Sequence, residues 1–311
     1  MTPLVLDFTD PARTAWAPGG HRPLRTSLWR PAGAELWPVV LLSHGTGGSA
    51  RSLAWLAEAL VDAGWAVLAV DHHGNTATQD YQPAAFVRAW ERPLDLSRAL
   101  DQALSLDLGL DPSRVVACGF SIGGYTAAAL CGVRVQRLLF EALVSGQIPL
   151  PAVPEFPGLA RELRQLWEQD PDGFLAGCEG DVSDARVRAA VLLSPGIGDL
   201  LDLDSLEQVQ CPVLILSGGA DDTTPAEANA DVYAKHIPAA QHVCLGERVV
   251  HYDLLDAATP GERTALHRLA ARLTVQFLGS FAGPDEAARP SANQQIRSSP
   301  SDPGATTRTA G

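Results

Sequence analysis

The chain has 311 residues, 46% hydrophobic and 19% charged, the balance of a globular protein. Its 23 Lys and Arg face 36 Asp and Glu, a formal charge of −13 that disfavours nucleic acid or an anionic membrane as partner. No apolar run approaches the ~18–20 residues of a spanning helix. The opening MTPLVLDFTDPARTAW lacks the basic start and apolar stretch of a secretory signal. Cys118, Cys131, Cys178, Cys211 and Cys244 are scattered and odd in number, which suits a reducing cytoplasm. No C-x-x-C or H-x-x-x-H spacing suggests a metal site. The expectation is a cytoplasmic protein that needs no metal.

In chain order, Leu24 to Arg30 reads as a leading antiparallel strand ended by Pro31. Five continuously apolar runs follow: Trp37 to Gly45, Trp65 to Gly74, Arg114 to Gly124, Ala189 to Gly196 and Cys211 to Gly219. Unbroken apolarity, rather than alternation, is expected of strands covered on both faces. Between them, ARSLAWLAEALVDAG, RPLDLSRALDQALSLDLG and SIGGYTAAALCG carry the i, i+3, i+4 spacing of helices. Strand, helix, strand with short turns predicts an α/β fold, a mostly parallel sheet with helices on both sides. From Phe140 to Arg188 the rhythm breaks: prolines surround one amphipathic stretch, Leu159 to Gln169. This segment, about 140–188, reads as a small lid insertion. From Ala282 onward, Pro, Ser, Ala and Gly dominate, so residues 1–281 are expected to fold and 282–311 to form a disordered tail.

The chemistry centres on Gly119-Phe120-Ser121-Ile122-Gly123. This G-x-S-x-G follows an apolar run and opens a helical pattern, the context of a nucleophile turn. A serine hydroxyl attacks poorly until a base takes its proton and donors hold the oxyanion. Ser43-His44-Gly45-Thr46-Gly47-Gly48 ends another strand, and its glycine-rich backbone can offer N–H groups. The N–H of Thr46 with that of Ile122 would form a two-donor oxyanion hole, each donor being worth about 3 kcal/mol of barrier. His44 and Gly45 are expected to border the substrate.

The triad order behind such a turn is Ser, acid, His. His251, after a strand-like run, is the favoured base over His236, His242 and the helical His267. Asp221, in Ser217-Gly218-Gly219-Ala220-Asp221-Asp222, is the favoured acid, with Asp222 and Asp199 as alternatives. Asp71-His72-His73-Gly74-Asn75 lacks the distant partner a metal would need and reads as a loop bordering the pocket. Trp90 and Glu91 either line the pocket or, for Trp90, pack a helix.

Together LRTSLWRPAG, LLSHGTGGSARSLAWLAEALVDAGWAVLAVDHHGN, RPLDLSRALD, GFSIGGYTAA, VLILSGGADDTTP and HYDLL resemble the α/β-hydrolase superfamily. The resemblance is to its dienelactone hydrolase and platelet-activating-factor acetylhydrolase-like group. It implies Ser121 as nucleophile, His251 as base, Asp221 as acid and the N–H groups of Thr46 and Ile122 as oxyanion donors. Two departures stand out. Dienelactone hydrolases proper use cysteine where this chain has Ser121, so lactone chemistry is not implied. The acetylhydrolases carry their acid after the strand that follows the elbow helix, where this chain has Ser194-Pro195. The expected function is a cofactor-free serine carboxylesterase acting on small to medium acyl esters. An acyltransferase built on the same acyl-enzyme, or a non-catalytic binding protein of this fold, are the alternatives.

Overall fold

The computed structural model describes residues 1–16, 19–33, 36–151, 153–255 and 265–283. Among them, eight strands form one sheet: β1 (Leu4–Thr14), β2 (His21–Trp29), β3 (Trp37–Ser43), β4 (Ala66–Asp71), β5 (Leu110–Phe120), β6 (Val187–Leu193), β7 (Val213–Ser217) and β8 (Ala240–Cys244). Their spatial order is β1-β2-β4-β3-β5-β6-β7-β8. The pairs β1–β2 and β2–β4 are antiparallel, and every pair from β4 to β8 is parallel.

The continuous apolar runs have the cause expected of them. Along β3, Val39 and Leu41 enter one core layer while Val40 and Leu42 enter the other. Along β5, Val115 and Ala117 oppose Val116 and Cys118 in the same way. Both faces are dry, so no polar alternation survives. Helices α1 (Ala54–Asp62) and α7 (Ala265–Leu278) cover the second layer. On the first lie α2 (Arg92–Leu104), α3 (Ile122–Ala129) and α6 (Ala230–His236), with α4 (Arg137–Ser145) and α5 (Leu159–Gln169) packed against each other beyond them.

The five apolar runs are β3 to β7, and the leading antiparallel strand is β2, beginning three residues early at His21. Two elements escaped the sequence reading. β1 is an exposed edge strand holding Pro11, a residue tolerated there because an edge N–H needs no ladder partner. β8 is the opposite edge, five residues with none fully buried. The segment expected to be a lid is mostly packed mass: Phe140, Leu143, Leu159, Leu163 and Phe174 are buried in the first layer. Arg114 donates to the Ala282 carbonyl at 2.7 Å, so the folded part reaches Ala282. Of the tail expected over 282–311, the residues from 284 onward lie outside those described.

Candidate functional site

Strand β5 ends at Phe120, and α3 starts at Ile122. Ser121 makes the turn between them with φ 58° and ψ −124°, a backbone few residues other than glycine adopt. Hydrogen bonds hold it there. Its N–H donates to the Leu193 carbonyl at 2.9 Å, and its carbonyl accepts from Gly124 at 2.8 Å and Gly196 at 3.0 Å. Gly123 is required by packing, because a Cβ there would stand 2.3 Å from the Ser43 carbonyl oxygen. Its absence lets the elbow lie directly against the Ser43–Gly48 loop. The Ser121 hydroxyl makes no hydrogen bond to a described residue and opens on a cavity of about 90 Å³.

Across that cavity stands His251, on a short turn spanning His251–Leu254. Trp55 Nε1 donates to the Leu254 carbonyl at 3.0 Å, and His267 Nε2 donates to the Asp253 carbonyl at 2.9 Å. Helices α1 and α7 therefore clamp the turn. His251 Nδ1 is 2.8 Å from Asp221 Oδ2, and both residues are buried. The loops carrying them can meet because Gly218 has no side chain: a Cβ would lie 2.2 Å from the Val249 carbonyl oxygen. Asp221 Oδ1 accepts from the backbone N–H groups of Thr223 and Thr224, at 3.1 and 2.8 Å. The Thr224 hydroxyl donates to Oδ2 at 2.9 Å. Burial alone would raise the Asp221 pKa, but the hydrogen bonds from His251 and Thr224 outweigh it and hold the carboxyl below its ordinary value.

The Ser43–Gly48 loop is fixed from beneath by a buried polar network. The Arg92 guanidinium donates to the His44 carbonyl, to Ser43 Oγ at 3.4 Å and to Thr126 Oγ1 at 3.2 Å. Ser43 Oγ is 2.9 Å from His72 Nε2, and His72 Nδ1 is 2.8 Å from Asp95 Oδ2. Arg13 reaches the other Asp95 oxygen at 2.6 Å. Asn75 Oδ1 accepts from the Gly47 N–H at 2.6 Å, and Asp71 Oδ1 from the Ala50 N–H at 2.6 Å. The loop's shape is thus set by side chains from the end of β4, the loop after it and α2. Its Thr46 N–H meets no acceptor among the described residues. Ile122, first in α3, has an N–H with no intrahelical partner either.

This network has a pH consequence. Burial, and then the neighbouring Arg92 charge, lowers the pKa of His72 to about 4 and that of His44 well below its ordinary value. The hydrogen bond and charge of Asp95 act the other way on His72 but do not offset burial and Arg92. Unfolded imidazoles bind a proton near pH 6.5, so between about pH 6.5 and 4 the unfolded chain holds more protons than the folded one. Stability is therefore expected to fall on acidification through that window, by up to about 1.4 kcal/mol per pH unit for each histidine. Urea midpoints at pH 7.5, 6.5, 5.5 and 5.0 measure it. A His72→Gln variant, unable to take up that proton, should fall less steeply.

The structure sorts the sequence candidates. Ser121, Thr46, Gly45 and His251 line one cavity, with Asp221 behind His251. Asp222 and Asp199 are exposed and do not reach His251. His242 bonds Ser217 Oγ at 2.7 Å on the far edge, His236 bonds Glu207, and His267 stacks on Trp55 at 4.5 Å. Two expected substrate contacts are corrected. His44 is buried, with Nδ1 on the Gly45 carbonyl at 2.7 Å and Nε2 accepting the His72 N–H at 3.1 Å, so both nitrogens serve the backbone. Trp90 is buried against Phe140, its Nε1 donating to the Ala176 carbonyl at 3.1 Å. The Asp71–Asn75 loop, expected to border the pocket, instead underpins the Ser43–Gly48 loop.

Several residues escaped notice in the sequence: Thr224 beside Asp221, Tyr252 and Phe120 on the cavity wall, and Val153-Pro154-Glu155, among the described residues the only part of the long insertion lining the cavity. Thr224, three residues after the acid, was the one with a local signal. Among the described residues no group of three or more His, Cys, Asp or Glu could hold a metal, and no helix is long and apolar enough to cross a membrane.

A mostly parallel sheet with a strained serine turn at the end of β5 defines an α/β protein of the hydrolase type. The chain belongs to the Alpha/beta hydrolase family, whose family profile matches residues 39–252. NocK of Nocardia uniformis subsp. tsuyamanensis, which carries a provisional esterase name, is 31% identical over 152 residues, 47% of this chain and 44% of that protein. The quorum-quenching protein AidA of Acinetobacter baumannii (strain MDR-ZJ06) is 35% identical over 98 residues, 31% of this chain and 32% of its own length. A Mycobacterium tuberculosis puromycin-hydrolyzing peptidase has the same fold at TM-score 0.56 and 17% identity, over 91% of this chain and 40% of that one. Pyrococcus horikoshii acylaminoacyl peptidase has it at TM-score 0.56 and 12% identity, over 92% of this chain and 43% of that one. Each match spans less than half the length of the relative.

Proposed function

We propose that this hydrolase is a cytoplasmic serine carboxylesterase acting on esters of short acyl groups. The observation that carries the reading is the buried 2.8 Å hydrogen bond between His251 Nδ1 and Asp221, with His251 and Ser121 facing one cavity. Asp221 keeps the His251 proton on Nδ1, leaving Nε2 free to accept another. Ser121 Oγ attacks the ester carbonyl while Nε2 takes its proton, a contact that commonly tightens only with substrate bound. The N–H groups of Thr46 and Ile122 hold the oxyanion. His251 then protonates the departing alcohol, and water, activated by the same imidazole, releases the acid. A cavity of about 90 Å³ favours short acyl chains. Free thiols at all five cysteines suit a reducing compartment. The esterase name of NocK supports ester hydrolysis as a similarity only. Kinship with the dienelactone hydrolase and acetylhydrolase-like group rests on the sequence motifs.

A fluorophosphonate probe followed by peptide mass spectrometry tests the reading. The expected result is a single adduct on Ser121, with p-nitrophenyl acetate and butyrate turned over faster than the octanoate. An intact Ser121 peptide after exhaustive labelling would overturn it.

A further inference from the structure

Of the described residues lining the cavity, Glu155 alone carries a fixed charge, and no Lys or Arg lies among those described. It makes no hydrogen bond or ion pair with any described residue, so its carboxylate is uncompensated. Its placement is built, not incidental. Phe156, the next residue, lies edge-on to Phe86 at 5.3 Å and stacks on Tyr81 at 6.2 Å. The Tyr81 hydroxyl in turn donates to the Gly47 carbonyl at 3.0 Å, tying this aromatic cluster to the Ser43–Gly48 loop. The Glu155 stem packs so closely on Gly47 that a Cβ there would meet its Cγ at 2.9 Å. The Phe156 N–H closes the turn on the Val153 carbonyl at 2.9 Å. The field of the carboxylate spreads across the cavity. After burial, it is the next cause that raises the pKa of both the Tyr81 and Tyr252 phenols. Tyr252 and Phe120 add aromatic surface to the same wall, which suits a cation.

The geometry points to Glu155 as a specificity-determining residue that selects substrates carrying a positively charged nitrogen within a few bonds of the scissile ester. This inference rests on the hydrolase reading of the site. An anionic substrate would instead meet a like charge beside the oxyanion loop. The nitrogen stays charged throughout, so it takes no part in the acyl transfer. It adds binding energy shared by ground and transition states, and the preference appears in affinity.

Tetramethylammonium ion and tert-butanol, close in shape and differing in charge, serve as reversible inhibitors of p-nitrophenyl acetate turnover. At low ionic strength the cation is expected to bind about tenfold more tightly, a modest figure because Glu155 is only partly buried and solvent screens it. The ratio should fall to about one in Glu155→Gln and shrink in 0.5 M NaCl. Because the ratio is read within each protein, any change in overall rate cancels. Equal inhibition of the wild-type enzyme by the two compounds, or an unchanged ratio in Glu155→Gln, overturns the inference and leaves the hydrolase reading standing. No turnover together with no probe adduct on Ser121 overturns the hydrolase reading itself, and this inference with it.

Discussion

Replacing Ser121 with alanine is expected to lower kcat/KM for p-nitrophenyl acetate by at least about 10⁴-fold, the scale seen when a nucleophile of this type is removed. The same change should leave Tm within about 2 °C of the wild type. The two halves of this expectation have separate causes. The rate depends on the hydroxyl, which no other described residue on the cavity wall can replace: Thr46, Ser52, Thr223 and Tyr252 line it, but none of them makes a strained strand-to-helix turn. The stability does not depend on it, because the hydroxyl has no hydrogen-bonded partner among the described residues to leave stranded. Alanine carries the same Cβ, so it bears the positive φ of the turn as serine does, and the backbone bonds to Leu193, Gly124 and Gly196 remain. Thermal melting beside steady-state kinetics checks both. Turnover above about 1% of wild type would remove Ser121 from the mechanism, whereas a Tm drop of many degrees would make the activity loss uninformative.

What was legible in the sequence follows from how local each signal is. β3 to β7 were readable because two-sided burial leaves an unbroken apolar run, and the serine turn because its glycines and its place between strand and helix all lie within a dozen residues. β1 was not: its residues alternate, hold a proline and rely on β2 for pairing, so its identity as a strand is a property of the partner. β8 is too short and too exposed to leave a pattern.

The errors at the site share one origin. His44 and Trp90 sit where a pocket residue would, at a strand end and a helix start, but the direction of a side chain is decided by what packs behind it. Behind His44 stand His72 and Arg92, and behind Trp90 stands Phe140. Those partners are 28, 48 and 50 residues away. The converse holds for Glu155, in a proline-rich stretch with no pattern of its own. Only the capture of Phe156 by Phe86 and Tyr81, some 70 residues earlier in the chain, brings it to the cavity.

Asp221→Asn should be almost as damaging as loss of the nucleophile, lowering kcat/KM by about 10⁴-fold with the fold intact. The reason lies in how the carboxylate is held. One oxygen, Oδ1, accepts two backbone N–H groups, from Thr223 and Thr224, and neither donor can turn into an acceptor. An asparagine here must keep its carbonyl oxygen on those donors, which directs its NH₂ toward His251 Nδ1. The amide then donates where the carboxylate accepted, so Nδ1 must give up its proton, and the imidazole carries it on Nε2, facing Ser121. That tautomer cannot take the serine proton. The Thr224 hydroxyl, 3.1 Å from Nδ1, offers the imidazole an acceptor but supplies no negative charge to steady the imidazolium. Proton NMR of the two imidazole N–H signals should follow the switch directly, from Nδ1 in the wild type to Nε2 in the variant. Retention of the Nδ1 proton with activity within tenfold of wild type would mean that Asp221 does not set the state of His251.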